Sequence, residues 1–364
     1  MQQDSVQCLP GNRIEWIDFC RVYTAFFVIV RHVHPQQGTV LWFADELTYR
    51  GLIFLFFFLS GYFVHPRDGV TGIGRYLDVA RFTRLLWAYL LWSMIGVLLL
   101  VPLLYYDSII AGDFSFMSVS AFARWTGLIP FGLHSYSANV PLWFLKNLMI
   151  LALVSPFLFR MKSKAVAMLI LFSLACGEIL VTVDKGEHTQ YFGISAIPAR
   201  TYENLMSIGF FCGGIIVRRI FSKEAFEKFV REYAWLPIIC ALLLFPMVHF
   251  FGFQPPCRSS VLVAVSIMMI MSVSVLCERY FPLVFKQIAK YGPAMMFIYV
   301  THYIVLQYLK AVIPMSRTFI VCNLQEVILP VIVVVICLAF YRVLKARFPM
   351  FMERFAFVKA EKKR

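Results

Sequence analysis

Long apolar runs recur along this chain, each about as long as a helix that crosses a bilayer, and they dictate what it can fold into. A helix rises ~1.5 Å per residue, so ~20 mostly apolar residues cross the ~30 Å hydrocarbon layer. Runs of this kind fall at residues 14–34, 48–65, 85–106, 140–159, 165–183, 202–217, 234–251, 259–277, 293–313 and 325–344. The sixth is short and carries Gly209, Gly213 and Gly214, small residues that let helices approach closely. Hydrophobic residues make up 60% of the 364 positions and charged residues only 15%. Soluble domains carry roughly 25% charge, so no water-soluble fold could hide this much apolar surface. The expected fold is therefore all-α: a polytopic membrane protein, a bundle of about ten transmembrane helices forming a single domain over 1–364. A basic tail at 345–364 closes the chain.

The formal net charge is +14, but the cations sit in short segments between apolar runs, which argues against a nucleic-acid partner. The connections after even-numbered runs, with the tail, hold 23 Lys and Arg, against seven on the opposite side. Under the positive-inside rule that asymmetry places both termini in the cytoplasm. Most of the nine cysteines fall inside apolar runs, where the thiol behaves as a small hydrophobe. Cys257 and Cys322 fall between runs and are the pair that could bridge outward connections. The longest outward connection, 107–139, is rich in Ser, Gly and aromatics and has room for a short helix.

Polar residues inside the runs are the candidates for function. Arg21 and His32 are eleven residues apart, within ~20° of three full helical turns and ~16 Å along the axis. Both share one face of the first helix, with Ala25 and Val28 forming a smooth stripe between them. Asp18 lies one turn from Arg21 and can pair with it. The plainer alternative is that Arg21 snorkels to the interface and His32 caps the outer end. Ser60 and Gly61 end the second run, where Ser60 can bond its own helix backbone and Gly61 permits close approach of another backbone. Arg81 and Arg84, three residues apart, suit a polyanion such as a nucleotide phosphate, and equally suit lipid headgroups. Trp143 fits an outer aromatic belt, and Lys146 stands one turn deeper. Tyr299 and His302 follow Pro293, which places His302 roughly 14 Å along the ninth helix, near mid-membrane. Glu178 and Glu203 read first as packing partners of basic neighbours. No metal site is expected.

Taken in order, these fragments resemble the acyltransferase-3 superfamily of integral membrane acyltransferases. The carrying residues are Ile17-Asp18-Phe19-Cys20-Arg21 followed by His32, then Phe57-Phe58-Leu59-Ser60-Gly61-Tyr62 and Arg81-Phe82-Thr83-Arg84. Leu142-Trp143-Phe144-Leu145 and Ile298-Tyr299-Val300-Thr301-His302 complete the set. Two features depart from the family. Trp87 and Ala88 stand where a proline often follows the paired arginines, and no extracytoplasmic hydrolase-like domain is fused, so the chain is similar to the compact, membrane-only type.

The resemblance implies transfer of an acyl group, commonly acetyl, from cytoplasmic acyl-CoA to a hydroxyl of an exported or cell-surface glycan. The expected location is the plasma (inner) membrane. Acyl-CoA is then a co-substrate rather than a bound cofactor, and the partners are acyl-CoA, a glycan or other hydroxyl-bearing acceptor, and membrane lipid. By the same resemblance His32 is the catalytic base and Arg81 and Arg84 bind the donor, with Arg21 placed to join them. Lys146, Tyr299 and His302 are candidate donors to the oxyanion. The rival reading is a transporter or flippase for a lipid-linked glycan, which would favour an internal repeat and broken helices. No such repeat is evident, though Gly213-Gly214 and Pro246 are candidate breaks. A scaffold is a third reading, but it does not need Arg21 and His32 on one stripe.

Overall fold

Apolar runs without internal breakers become helices because the chain must satisfy its backbone hydrogen bonds locally when no water is at hand. The structure, a computed structural model, describes residues 14–33, 35, 39–64, 79–114, 139–185, 201–249, 258–313 and 319–355. These residues form helices and turns and contain no strand. A helix coincides with every predicted run. We label them α1 (Glu15–Val33), α2 (Val40–Tyr62), α3 (Val79–Leu104), α4 (Tyr106–Ile110) and α5 (Leu142–Arg160). There follow α6 (Ser163–Lys185), α7 (Thr201–Ile220), α8 (Lys223–Glu232), α9 (Trp235–His249) and α10 (Arg258–Tyr280). The rest are α11 (Pro282–Ala289), α12 (Met295–Val312, entered through a 3-10 turn at Gly292–Ala294), α13 (Phe319–Arg347) and α14 (Pro349–Phe355).

Among the described residues, five helical stretches are long and apolar enough to cross a membrane. They are Arg81–Leu104, Leu142–Arg160, Ser260–Tyr280, Pro282–Val312 and Val321–Arg347. The first helix is set apart from these by its charge: α1 carries Glu15, Asp18, Arg21 and Arg31. Nonetheless α1 is central, packed against α2, α10, α11, α12 and α13. Around it α2 packs on α7 and α10, α6 on α7, and α3 on α5, α12 and α14.

Several helix ends differ from the sequence reading for physical reasons. Helix α2 starts at Val40, eight residues before the apolar run, because Thr39 caps it, its hydroxyl accepting from the Trp42 amide at 3.1 Å. The Gly213-Gly214 pair lies in unbroken α7 and Pro246 inside α9, so neither breaks a helix. The sharp bend falls instead between α7 and α8, 106° apart. There Ser222 caps α8, and the amphipathic α8 turns Phe226 and Val230 inward. Arg219 ends α5 by donating to the carbonyls of Phe159 at 2.7 Å and Met161 at 3.0 Å, groups that a helix leaves without intrahelical partners.

Glycine sets the tightest crossing. A Cβ on Gly61 would collide with the Phe211 backbone carbonyl, and one on Gly214 with the Phe58 carbonyl. The α2 and α7 backbones therefore touch through both glycines. Within the long connection the short helix is α4, and residues 115–138 lie outside the described residues. Cys322 sits buried inside α13, its thiol donating to Glu326 at 3.3 Å; Cys257 lies outside the described residues. The basic tail begins in the last residues of α13 and continues as α14, which packs on α3 and α13.

Candidate functional site

One helix carries charged or titratable groups at both of its ends, and its neighbours treat the two ends differently. At the N-terminal end of α1, Arg21 Nη1 donates to Asp18 Oδ1 at 3.0 Å. Asp18 is buried while the Arg21 side chain keeps 42% of its surface exposed. The 3-10 turn before α12 closes over Asp18: a Cβ on Gly292 would sit 2.5 Å from the Asp18 Cβ and Oδ1. Only glycine lets the turn come so near.

Between the ends the stripe is covered by protein. Ala25 packs in a cluster with Met295, Ile298, Leu329 and Val333, and Val28 belongs to the main core. Helices α12 and α13 thus cover the stripe at Ala25.

At the C-terminal end of α1, the half-buried His32 ring lies 5.4 Å from His302 and 5.1 Å from Tyr303, centroid to centroid. Lys310 Nζ donates to the His32 backbone carbonyl at 2.7 Å, placing a cation where the helix dipole is negative. On the other side Arg31 pairs at 3.1 Å with Asp45, whose carboxylate is fully enclosed. Both His32 contacts come from α12, where positions 299, 302, 303 and 310 recur at helical spacing along one side.

His302 is completely buried. Its Nδ1 lies 3.1 Å from the Ile298 carbonyl oxygen. A carbonyl only accepts, so Nδ1 holds the proton and Nε2 presents a lone pair. That Nε2 has no hydrogen-bond partner among the described residues. Beside it, Tyr299 has its ring 5.9 Å from His302 and 4.9 Å from Phe144, and its hydroxyl donates to the Pro141 carbonyl at 3.2 Å. Asn139 Nδ2 donates to the Val300 carbonyl at 2.8 Å, so the start of α5 is fastened to α12 at two points.

The structure therefore brings His32, Tyr299 and His302 together, with Phe144 and the Trp143–Phe57 contact at 6.3 Å behind them. The sequence reading put His32 at the outer end and His302 near mid-membrane; the adjacent rings place them at one depth. Asp18 and Arg21 pair as expected at the opposite end. Ser60 sits next to the glycine crossing of α2 and α7. Lys146 is half-buried and leaves α5 ~160° around the helix from Phe144. Arg81 and Arg84 lie in the first turns of α3, both partly exposed. Arg81 shares a helix face with Trp92, within ~20°, and Trp92 meets Phe297 of α12 at 5.7 Å while its indole donates to the Phe355 carbonyl. The face of α3 that carries Arg81 thus meets α12 and α14 about three turns further along, at Trp92.

Three polar features escaped the sequence reading. Lys310 was legible in principle, two turns beyond His302 on the same helix. Asp45 falls before the predicted start of α2, so its burial was out of view. Asn147 donates to Asn204 at 2.7 Å across α5 and α7, a pairing that no local pattern announces. Glu178, read as a partner for a basic group, accepts from the Ser260 amide at the start of α10.

The profile of one family, described as an acyltransferase domain, matches residues 14–342, from the start of α1 into α13. No curated protein and no solved structure matches the chain.

Proposed function

The chain belongs to the acyltransferase family whose profile spans residues 14–342, and from that membership we propose an O-acyl transfer across the membrane. The donor is cytoplasmic acyl-CoA, acetyl-CoA first among candidates, and the acceptor is a hydroxyl of an exported or cell-surface glycan. In this reading all ten apolar helices span the plasma (inner) membrane, with both termini in the cytoplasm as the cation asymmetry requires. The N-terminal end of α1 then faces the cytoplasm and the His32 end faces outward.

The observation that carries the reading is the His32–His302 contact, 5.4 Å between ring centroids. Two imidazoles from helices 270 residues apart meet inside an apolar bundle, where titratable groups are costly to bury without a task. At the other end Arg21, half exposed, with Arg81 and Arg84 on α3, supplies guanidinium groups suited to the phosphates of CoA. The acyl-pantetheine arm must cover the ~16 Å between the two ends. Because Ala25 is buried among α12 and α13 residues and Val28 in the main core, admitting the arm requires the bundle to open along α1.

His32 acts as general base. Its unprotonated nitrogen takes the proton of the acceptor hydroxyl as that oxygen attacks the thioester carbon. The C–S bond then breaks, and the proton returns from the imidazolium to the departing CoA sulfur. Such a base contributes roughly 10²- to 10⁴-fold to rate.

Purified protein supplied with labelled acetyl-CoA and a glycan fraction from the cell surface should release CoA and place the label on the glycan. His32→Ala should lose roughly 10²- to 10⁴-fold of that rate while inserting and melting like the parent. Intact acetyl-CoA after incubation of the parent protein, or full activity in the variant, overturns the reading.

A further inference from the structure

We propose that His302 is the positioning residue for His32, an assignment that rests on the acyl-transfer reading above. Its Nε2 receives the N–H of the His32 imidazole that faces away from the acceptor. This fixes the His32 tautomer and leaves the other nitrogen as the base.

The sequence reading offered His302 as a donor to the oxyanion, and its hydrogen bonding speaks against that. A donor needs N–H at the open nitrogen, whereas the Ile298 carbonyl claims the only proton of the neutral ring at Nδ1. What His302 presents is a lone pair. An ordinary core histidine satisfies both nitrogens, because leaving a buried acceptor unpaired costs free energy. Here the ring is completely buried and Nε2 has no hydrogen-bond partner among the described residues.

The neighbour suited to fill that role is His32. Two imidazoles joined by N–H···N place their centroids ~5 Å apart, being two ring radii of ~1.1 Å plus a ~3 Å hydrogen bond. The observed 5.4 Å, at an interplanar angle of 38°, is a small closure away. Catalytic hydrogen bonds are often long before substrate binds. The Tyr299 hydroxyl donates to the Pro141 carbonyl at 3.2 Å. Lys310, two turns further along α12, already holds the His32 backbone carbonyl at 2.7 Å. One helix thus grips His32 by its backbone and stands ready to grip its ring.

The benefit is specific to the reaction. When His32 takes the acceptor proton it becomes an imidazolium, and its N–H to His302 becomes charge-assisted and stronger. The contact therefore favours the transition state over the ground state and acts on turnover rather than on binding. His302 itself neither gains nor loses a proton.

The test compares His302→Phe, which fills the space without an acceptor, with His302→Gln, which supplies a carbonyl acceptor and cannot titrate. Both are made in the full chain and assayed with labelled acetyl-CoA and glycan acceptor, alongside melting curves. His302→Phe should lower kcat by ~10²-fold, within the range for general-base contributions, with KM for acetyl-CoA within ~2-fold. His302→Gln should recover to within ~10-fold of the parent. Parent-like turnover in His302→Phe overturns the assignment, and so does a His302→Gln variant as slow as His302→Phe, which would mean a proton-carrying role. If the parent itself leaves acetyl-CoA intact, the acyl-transfer reading fails instead, and the two failures are separable.

Discussion

Helices α2 and α7 are joined by the same physics that could have joined α1 and α12, yet the two seams are built in opposite ways. The α2/α7 seam is a glycine crossing, where Gly61 meets the Phe211 backbone and Gly214 meets Phe58 and Tyr62. The α1/α12 seam is polar at both ends, with Asp18 under Gly292 at one and His32 against His302, Tyr303 and Lys310 at the other. Lipid offers helices no hydrophobic drive to associate, so close van der Waals packing must hold them. The glycine seam meets that need by direct backbone contact. The polar seam instead gathers titratable groups at both ends, among them a His302 nitrogen with no hydrogen-bond partner among the described residues, which makes it the candidate working face.

The contrast breaks first at Gly61. A methyl group there meets a backbone carbonyl, which cannot rotate away as a side chain can, so Gly61→Ala should cost ~3 kcal/mol or more. In detergent the variant should lose its cooperative melt or drop steeply in melting temperature. A Gly61→Ala protein that melts like the parent would mean that the crossing is loose and that the bundle is held elsewhere. His302→Phe is the matching insult to the polar seam and should shift melting far less than it shifts turnover.

Gly292→Ala tests whether the polar seam is also tight at its other end. The added Cβ would lie 2.5 Å from the Asp18 Cβ and Oδ1; the carboxylate can rotate away, but the 3-10 turn must shift to clear the Cβ. The expected loss is ~1–3 kcal/mol, smaller than at Gly61. Moving Asp18 also moves Arg21, its partner at 3.0 Å, so acyl-CoA use should fall along with stability. A stability loss with unchanged donor KM would separate the turn from the donor site.

Lys310→Met sharpens the outer end. The variant keeps an apolar stem but loses a charged donor to the His32 carbonyl, worth ~1–2 kcal/mol for a half-exposed group. Melting should fall by a few degrees and kcat by several-fold, because the His32 backbone loses its tether. Unchanged kcat would show that α12 holds His32 through its ring alone.

Sequence patterns announced the helices because each run is mostly apolar over a bilayer's length, a signal that needs no knowledge of neighbours. They also put Arg21 and His32 on one face, since helical rotation is a property of a single segment. They did not disclose that His302 abuts His32, because which helices pair is decided by packing between segments 270 residues apart. Depth was misjudged for the same reason: counting from Pro293 locates His302 along its own helix but not beside α1. The early start of α2 was hidden because Asp45 reads as a boundary residue until Arg31 is seen across from it. Gly61 was read correctly as a close-approach site, though its partner, Phe211, was not foreseeable.

The smallest structural effect should come from Arg21, and it bears most directly on what the inner end of the polar seam is for. The Arg21 side chain keeps 42% of its surface exposed, and its pair with Asp18 spans one turn of the same helix. The Asp18 end of the pair is buried, and Gln keeps a neutral donor within reach of that carboxylate, so Arg21→Gln should cost ~1 kcal/mol and melt a few degrees below the parent. If the guanidinium holds a CoA phosphate, the same variant should raise KM for acyl-CoA by ~10-fold, which corresponds to ~1.4 kcal/mol of binding, with kcat little changed. Raising the salt concentration should weaken donor binding to the parent more than to the variant, since a phosphate contact at an exposed site is screened. An unchanged KM together with an equal salt response would remove Arg21 from the donor site. The basic groups on α3, Arg81 and Arg84, would then be left to hold the nucleotide, and the route from donor to His32 would enter from the α12 and α14 side of the bundle.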